Sequence, residues 1–189
     1  MSSRTQIVCL HEGKRGHSID PIFIHSLIKA LNPAWIRPWK GSNIVRTRDC
    51  GGRTTLIDTM PGELKSCVSM GGDTTLMVWA DLDHDMADGE KLKAEFWKAA
   101  EKAGIARSQF DQVVFVFAKD RIENWVEFLL TGSTDESKEG PRQNNGRVVS
   151  DAAKALADKC RSGTPVPDAP ASLVWSCKNW KSLVEKMRK

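Results

Sequence analysis

The sequence predicts an α/β domain, with a central, mostly parallel sheet and helices on both faces. Three observations predict it. Short apolar runs at 6–10 (QIVCL), 74–80 (TTLMVWA) and 112–118 (QVVFVFA) lack the alternation of a half-exposed strand and read as strands covered on both sides. Between them lie stretches whose apolar residues recur every three or four positions, the spacing of helices with one buried face. Strands that alternate with helices pair in parallel, because a parallel neighbour is reached only by a crossover.

The elements follow in order. The first strand runs into His11-Glu12-Gly13. Lys14-Arg15-Gly16 then leads to a helix that places Ile19, Ile22, Phe23, Leu27, Ile28 and Leu31 on one face and closes at Asn32-Pro33. Residues 34–39 (AWIRPW) and 43–48 (NIVRTR) read as strand or extended chain, with Pro38 arguing against an interior strand. Gly51-Gly52 marks a turn before a helix over 54–70, whose start Pro61-Gly62 leaves open. The central strand, 74–80, ends in Asp81-Leu82-Asp83-His84-Asp85. Residues 89–104 read as an amphipathic helix, capped by Asp88 and stopped by Gly104. After the strand at 112–118 come a helix over 120–131, a polar, Gly-rich surface loop over 132–147, and a helix capped by Ser150 or Asp151 that runs to about Cys160. The segment RSGTPVPDAPAS holds three prolines and reads as a stiff connector. A last helix places Trp180, Leu183, Val184 and Met187 on one face. The expected organisation is a catalytic domain over 1–162, with 163–189 a connector and a helix packed on the same domain.

Composition narrows the function classes. The chain has 189 residues, 40% hydrophobic and 28% charged, which excludes wholesale disorder. No apolar run reaches the roughly 18 residues of a membrane helix, and no secretory leader is expected. Five cysteines, an odd number without a CxxC pair, argue against a disulfide scaffold or a zinc ribbon and suit a reducing cytoplasm. The net charge of +4 permits nucleic-acid binding without demonstrating it. A GxxxxGK[ST] phosphate loop is absent, so this chain does not bind ATP by that route.

The chemistry-bearing residues sit at strand ends. Glu12 follows the first strand, and Asp81 and Asp83 follow the central one. Residues two apart on a strand share a face, so Asp81 and Asp83 are expected to aim at one point, joined by Glu12 if the strands are neighbours. Three converging carboxylates repel one another, and a hard cation such as Mg²⁺ (or Mn²⁺) relieves that repulsion. Acids at strand ends also cap helices or sit in solvent, which is the plainer reading of any one of them. The run DLDHDMADGE is no calcium loop, since counting from Asp81 the required Gly and Glu positions hold Met86 and Leu92. Lys119 ends the third strand and could contact a phosphate; a solvated lysine is the alternative. His84 lies between two acids, His11 adjoins Glu12, and His17 and His25 have no zinc spacing. The basic residues Lys14, Arg15, Arg46, Arg48, Arg53, Arg142 and Arg147 fall in loops or at strand ends and would hold a polyanion if they surround the acids. Trp79, Trp97 and Trp125 read as core, whereas Trp35 and Trp39 flank a proline and could stack on bases.

A Glu-Gly turn after the first strand (Glu12, Gly13), followed by an apolar strand ending in Asp-x-Asp (Asp81, Asp83), resembles the Toprim family over roughly residues 5–130. The segment FAKDRIENWVEFLLTG is similar to that of OLD-like Toprim nucleases of phage defence and their small stand-alone relatives. The resemblance implies a compact domain around a mainly parallel sheet, with Glu12, Asp81 and Asp83 holding Mg²⁺ for phosphodiester cleavage and Glu123 a further acid beside the metal. It implies DNA or RNA as the substrate, with Lys14, Arg15, Arg142 and Arg147 along its backbone, and a separate ATPase or sensor as a partner. OLD-like relatives often carry a second acid four residues after the glutamate; here that position is Gly16. Asp20 could substitute, but Asp20-Pro21 also reads as a helix start, and Glu123 also fits a capping box with Asp120. Two other readings stand beside the nuclease: a nucleic-acid-binding or adaptor module with a degraded site, and a metal-dependent phosphatase with Asp81 as nucleophile.

Overall fold

Three apolar strands and one polar edge strand pair into one all-parallel sheet, and helices cover both of its faces. This computed structural model describes residues 6–14, 16, 18–31, 45–71, 74–86, 88–162 and 166–188. The strands are β1 (Gln6–His11), β2 (Val45–Asp49), β3 (Thr74–Leu82) and β4 (Val114–Lys119), in the spatial order β2-β1-β3-β4. The helices are α1 (Asp20–Leu31), α2 (Arg53–Met70), α3 (Glu90–Lys102), the single turn α4 (Arg107–Phe110), α5 (Glu123–Thr131), α6 (Gly146–Ser162) and α7 (Ala171–Arg188). The α/β class and the parallel sheet are as the sequence predicts. Among the described residues no helix is long and apolar enough to cross a membrane.

Alternation along the strands builds two cores. Ile7, Cys9, Met77, Trp79, Val114 and Val116 face α1, α5, α6 and α7. Val8, Leu10, Leu76, Val78, Ala80, Phe115 and Phe117 face α2, α3 and α4. Both sets are apolar, which is why the strands read as unbroken hydrophobic runs.

Element boundaries shift where local chemistry overrides pattern. Helix α2 continues through Pro61, which is buried within it. Helix α5 begins at Glu123 and not at 120, because Asp120 adopts φ 57° and cannot join a right-handed helix. Glu123 is therefore the first helical residue, and the capping box with Asp120 does not form. Helix α6 starts at Gly146: Asn145 Oδ1 accepts the N–H of Arg147 at 3.0 Å and caps the turn. Neither expected cap does so. Ser150 accepts a hydrogen bond from Ser26 at 3.0 Å, tying α6 to α1, and Asp151 pairs with Lys154. Asp88 caps α3 as expected, accepting the N–H of Glu90 at 3.0 Å. The turn α4 has no counterpart in the sequence reading. Of the candidate extended segments, 34–39 lies outside the described residues and 43–48 is described only from Val45.

Helix α7 closes the sheet edge at β4. The hydroxyl of Ser176 accepts the Phe117 N–H at 2.9 Å and donates to the Phe117 carbonyl at 3.1 Å, and Asn179 Nδ2 donates to the Phe115 carbonyl at 3.0 Å. These groups point away from β3 and would otherwise be an unpaired edge. Ser176 is buried, so Ser176→Ala leaves two backbone groups without a partner and is expected to cost about 1–3 kcal/mol in urea-induced unfolding.

Candidate active site at the carboxyl edge of the sheet

The strand order places a switch point between β1 and β3. From β1 the chain leaves through α1 toward β2, and from β3 it leaves through α3 on the opposite face toward β4. The crevice outside the carboxyl ends of two such strands is where open α/β sheets bind ligands. Glu12 and Asp81 stand at this point. His11 lies opposite Trp79, the Glu12 N–H continues the ladder to the Trp79 carbonyl at 3.2 Å, and the Asp81 N–H donates to Glu12 Oε2 at 3.2 Å. Two acids 69 residues apart in sequence are thus adjacent.

Asp20 belongs to the same cluster. Its expected capping role is filled by Ser18, whose hydroxyl accepts the Asp20 N–H at 3.1 Å. The Asp20 carboxylate instead lies 3.7 Å from Nδ1 of the buried His11. Gly13 makes this possible: a Cβ there would stand 2.4 Å from Ser18 Oγ and 2.6 Å from Asp20 Oδ2. The Glu-Gly pair therefore has a steric reason, because the α1 entry folds back against the Gly13 backbone. Gly13→Ala is expected to displace Asp20 and lower any cation affinity of the site several-fold, read by calorimetric Mn²⁺ titration.

A small cavity of about 10 Å³, close to the room one water needs, is lined by Glu12, Asp20 and Asp81 over Trp79 and Ile122. A cleft of about 710 Å³ shares Asp20, Asp81 and Ile122 with it. Asp120 and Glu123 add acids to the cleft wall, and Lys14, Arg121 and Arg142 add cations. The volume suits a small ligand or a nucleotide unit.

Asp81, Glu12 and Glu123 hold protons more tightly than usual. Burial pushes the Asp81 carboxyl well above the carboxylate range, and the charges of Asp20, Glu12 and Glu123 push it further, against Arg121. Burial also raises Glu12, opposed by the Asp81 N–H and by Arg53. Glu123 is raised by burial, with its own N–H and Arg121 opposing. Among the described residues, the carboxylates outnumber the cations that face them.

Asp83 does not converge with Asp81. Strand β3 ends at Leu82, so the alternation stops one residue short, and the half-exposed Asp83 carboxylate pairs with Arg53 Nη1. Alternation puts Lys119 on the face of Phe115 and Phe117, opposite Asp81. Arg142 and Lys14 line the cleft, whereas Arg147 is exposed at the start of α6. Arg15, His17, Trp35 and Trp39 lie outside the described residues. Arg46 and Arg48 pair with Glu63, and Arg53 with the acids themselves, so these three are not free phosphate contacts. His84 is exposed, 3.7 Å from Asp120. Trp79 and Trp125 are core as expected, and Trp97 is half-buried against Phe110.

No family model, curated protein or solved structure matches this chain.

The oxygen-only donor set of Glu12, Asp20 and Asp81 suits a hard divalent cation, and an atom-sized void lies among these residues. Among the described residues, no three His, Cys, Asp or Glu side chains are already gathered around one point to hold a metal ion. Sequence reasoning undervalued Asp20 and Arg53. The signal for Asp20 was Ser18, a better cap two residues earlier. Arg53 carried no local signal, since its partners come from two other segments.

Proposed function

We propose that this chain is a Mg²⁺-dependent, Toprim-like nuclease that cleaves nucleic-acid phosphodiester bonds at the edge between β1 and β3. The observation that carries this reading is the meeting of Glu12, Asp20 and Asp81 at the switch point, with Glu123 beside them and, among the described residues, fewer cations than carboxylates facing them. Glu12, Asp20 and Asp81 would hold the ion, with Mn²⁺ able to replace Mg²⁺. When bound, the ion supplies Lewis acidity at the scissile phosphate and lowers the pKa of a water. Lys14 and Arg142, on the cleft wall, hold the polynucleotide through its phosphates. Glu123 keeps a proton more readily than an ordinary carboxylate and serves as proton acceptor. Trp79 and Ile122 floor the cavity beneath the acids. Any ATP-driven step, such as the defence role that the Toprim likeness suggests, belongs to a separate ATPase or sensor chain.

One observation favours a second reading. Arg53 already pairs with Glu12 and Asp83, and such internal neutralisation suits a binding or adaptor module with a lapsed site.

The test is incubation of the purified chain with plasmid, single-stranded DNA, RNA and a small phosphate ester, with Mg²⁺, Mn²⁺ or chelator. Polynucleotide cutting that needs the cation and disappears in Glu12→Gln and Asp81→Asn supports the nuclease. Binding without cutting supports the adaptor, and turnover of the ester alone supports a phosphatase.

A further inference from the structure

Arg53 is the first residue of α2, introduced by Gly51 and Gly52 at φ 69° and 143°. A cation there meets the positive end of the helix dipole, and α2 has no acid in its first turn to offset it. Local preference thus opposes this residue, and tertiary contacts hold it. Its Nη1 donates to Asp83 and its Nη2 to the Asp81 carbonyl, while Nε lies 3.8 Å from Glu12 Oε2. One guanidinium therefore ties the ends of β1 and β3 together across the switch point. The fit is incomplete: Nε is buried and has no hydrogen-bond partner among the described residues. Asp83, its strongest contact, is 57% exposed, so that pair exchanges for water at little cost.

We propose that Arg53 is the resident counter-ion of this site, holding Glu12 and Asp83 until a divalent cation binds in competition with it. The inference rests on the cation reading given above. Glu12 faces the guanidinium on one side and the small cavity with Asp20 and Asp81 on the other, so the same carboxylate serves both cations. Asp83 is held by Arg53, and loss of that pairing frees it to move to the ion. A cation that enters competes with the guanidinium for the Glu12 charge and is repelled by it, and part of its binding energy is spent against that repulsion.

The test is calorimetric titration of Mn²⁺ into the full chain without nucleic acid, comparing wild type, Arg53→Gln and Arg53→Lys. Removing one positive charge a few ångströms from a divalent ion is expected to tighten the Mn²⁺ Kd about tenfold in Arg53→Gln. Arg53→Lys, which keeps the charge and loses the fork, is expected to fall between the two. A Kd in Arg53→Gln equal to or weaker than wild type overturns the proposal and leaves the cation site standing. If neither protein binds Mn²⁺, the cation reading and this proposal both fall. Should Arg53→Gln fail to fold, Arg53→Lys decides alone, and a Kd no tighter than wild type overturns the proposal.

Discussion

Asp81→Asn is expected to abolish the proposed cleavage and, in the absence of divalent cation, to make the protein harder to unfold. Lewis-acid stabilisation is worth several kcal/mol, so loss of a central ligand is expected to lower kcat/KM about a thousandfold. The stability gain has a separate origin. Burial, with Asp20, Glu12 and Glu123 nearby, raises the proton affinity of Asp81 in the folded chain. A group whose folded pKa is raised stabilises the fold below its unfolded pKa, and that contribution is lost as pH rises through the folded value. Above about pH 4 the unfolded carboxyl ionises freely, whereas the folded one either keeps its proton or carries a charge among other charges. Asparagine is neutral throughout and avoids this cost. The expected gain at neutral pH is about 1–2 kcal/mol, the usual size for relief of a strained functional site. It should shrink toward pH 4 and below. Urea unfolding of both proteins in chelator across this range reads it directly. A variant less stable than wild type at neutral pH would mean that the Asp81 charge is already balanced, and the case for a bound cation would weaken accordingly.

Trp125→Ala is expected to destabilise the chain by about 3–5 kcal/mol, the cost of truncating a fully buried large aromatic. Trp125 is fully buried and packs edge-on against Trp79 and Trp180, at ring-centroid distances of 6.1 and 6.3 Å. Its Nε1 donates to Ser172 at 2.8 Å, joining α5 to the start of α7. Ser172 also donates to Glu136, so the same contact anchors the 132–145 loop. Removing the indole opens a cavity below Trp79, which floors the acidic cavity. Trp125→Phe keeps most of the packing and loses the hydrogen bond, so it should cost about 1–2 kcal/mol. Thermal unfolding of the pair separates packing from hydrogen bonding. Cation affinity should fall in the alanine variant before the fold is lost, because Asp81 stands two residues after Trp79 on the same strand face.

The sequence by itself determined the parts whose physics is local. Buried parallel strands are apolar on both faces, so QIVCL, TTLMVWA and QVVFVFA announce themselves, and Glu12 and Asp81 follow because an acid after such a run can only lie at the strand's exit. What the tertiary structure alone decided is adjacency. The order β2-β1-β3-β4 makes Glu12 and Asp81 neighbours at a switch point. The return of α1 over Gly13 brings Asp20 to them, while Arg53 reaches across from α2 to draw Asp83 away. Ser176 on α7 seals an edge that no local pattern associates with it. Each of these contacts joins segments fixed separately by their own cores, and charge and hydrogen bonding act over a few ångströms of space whatever the number of residues between the partners.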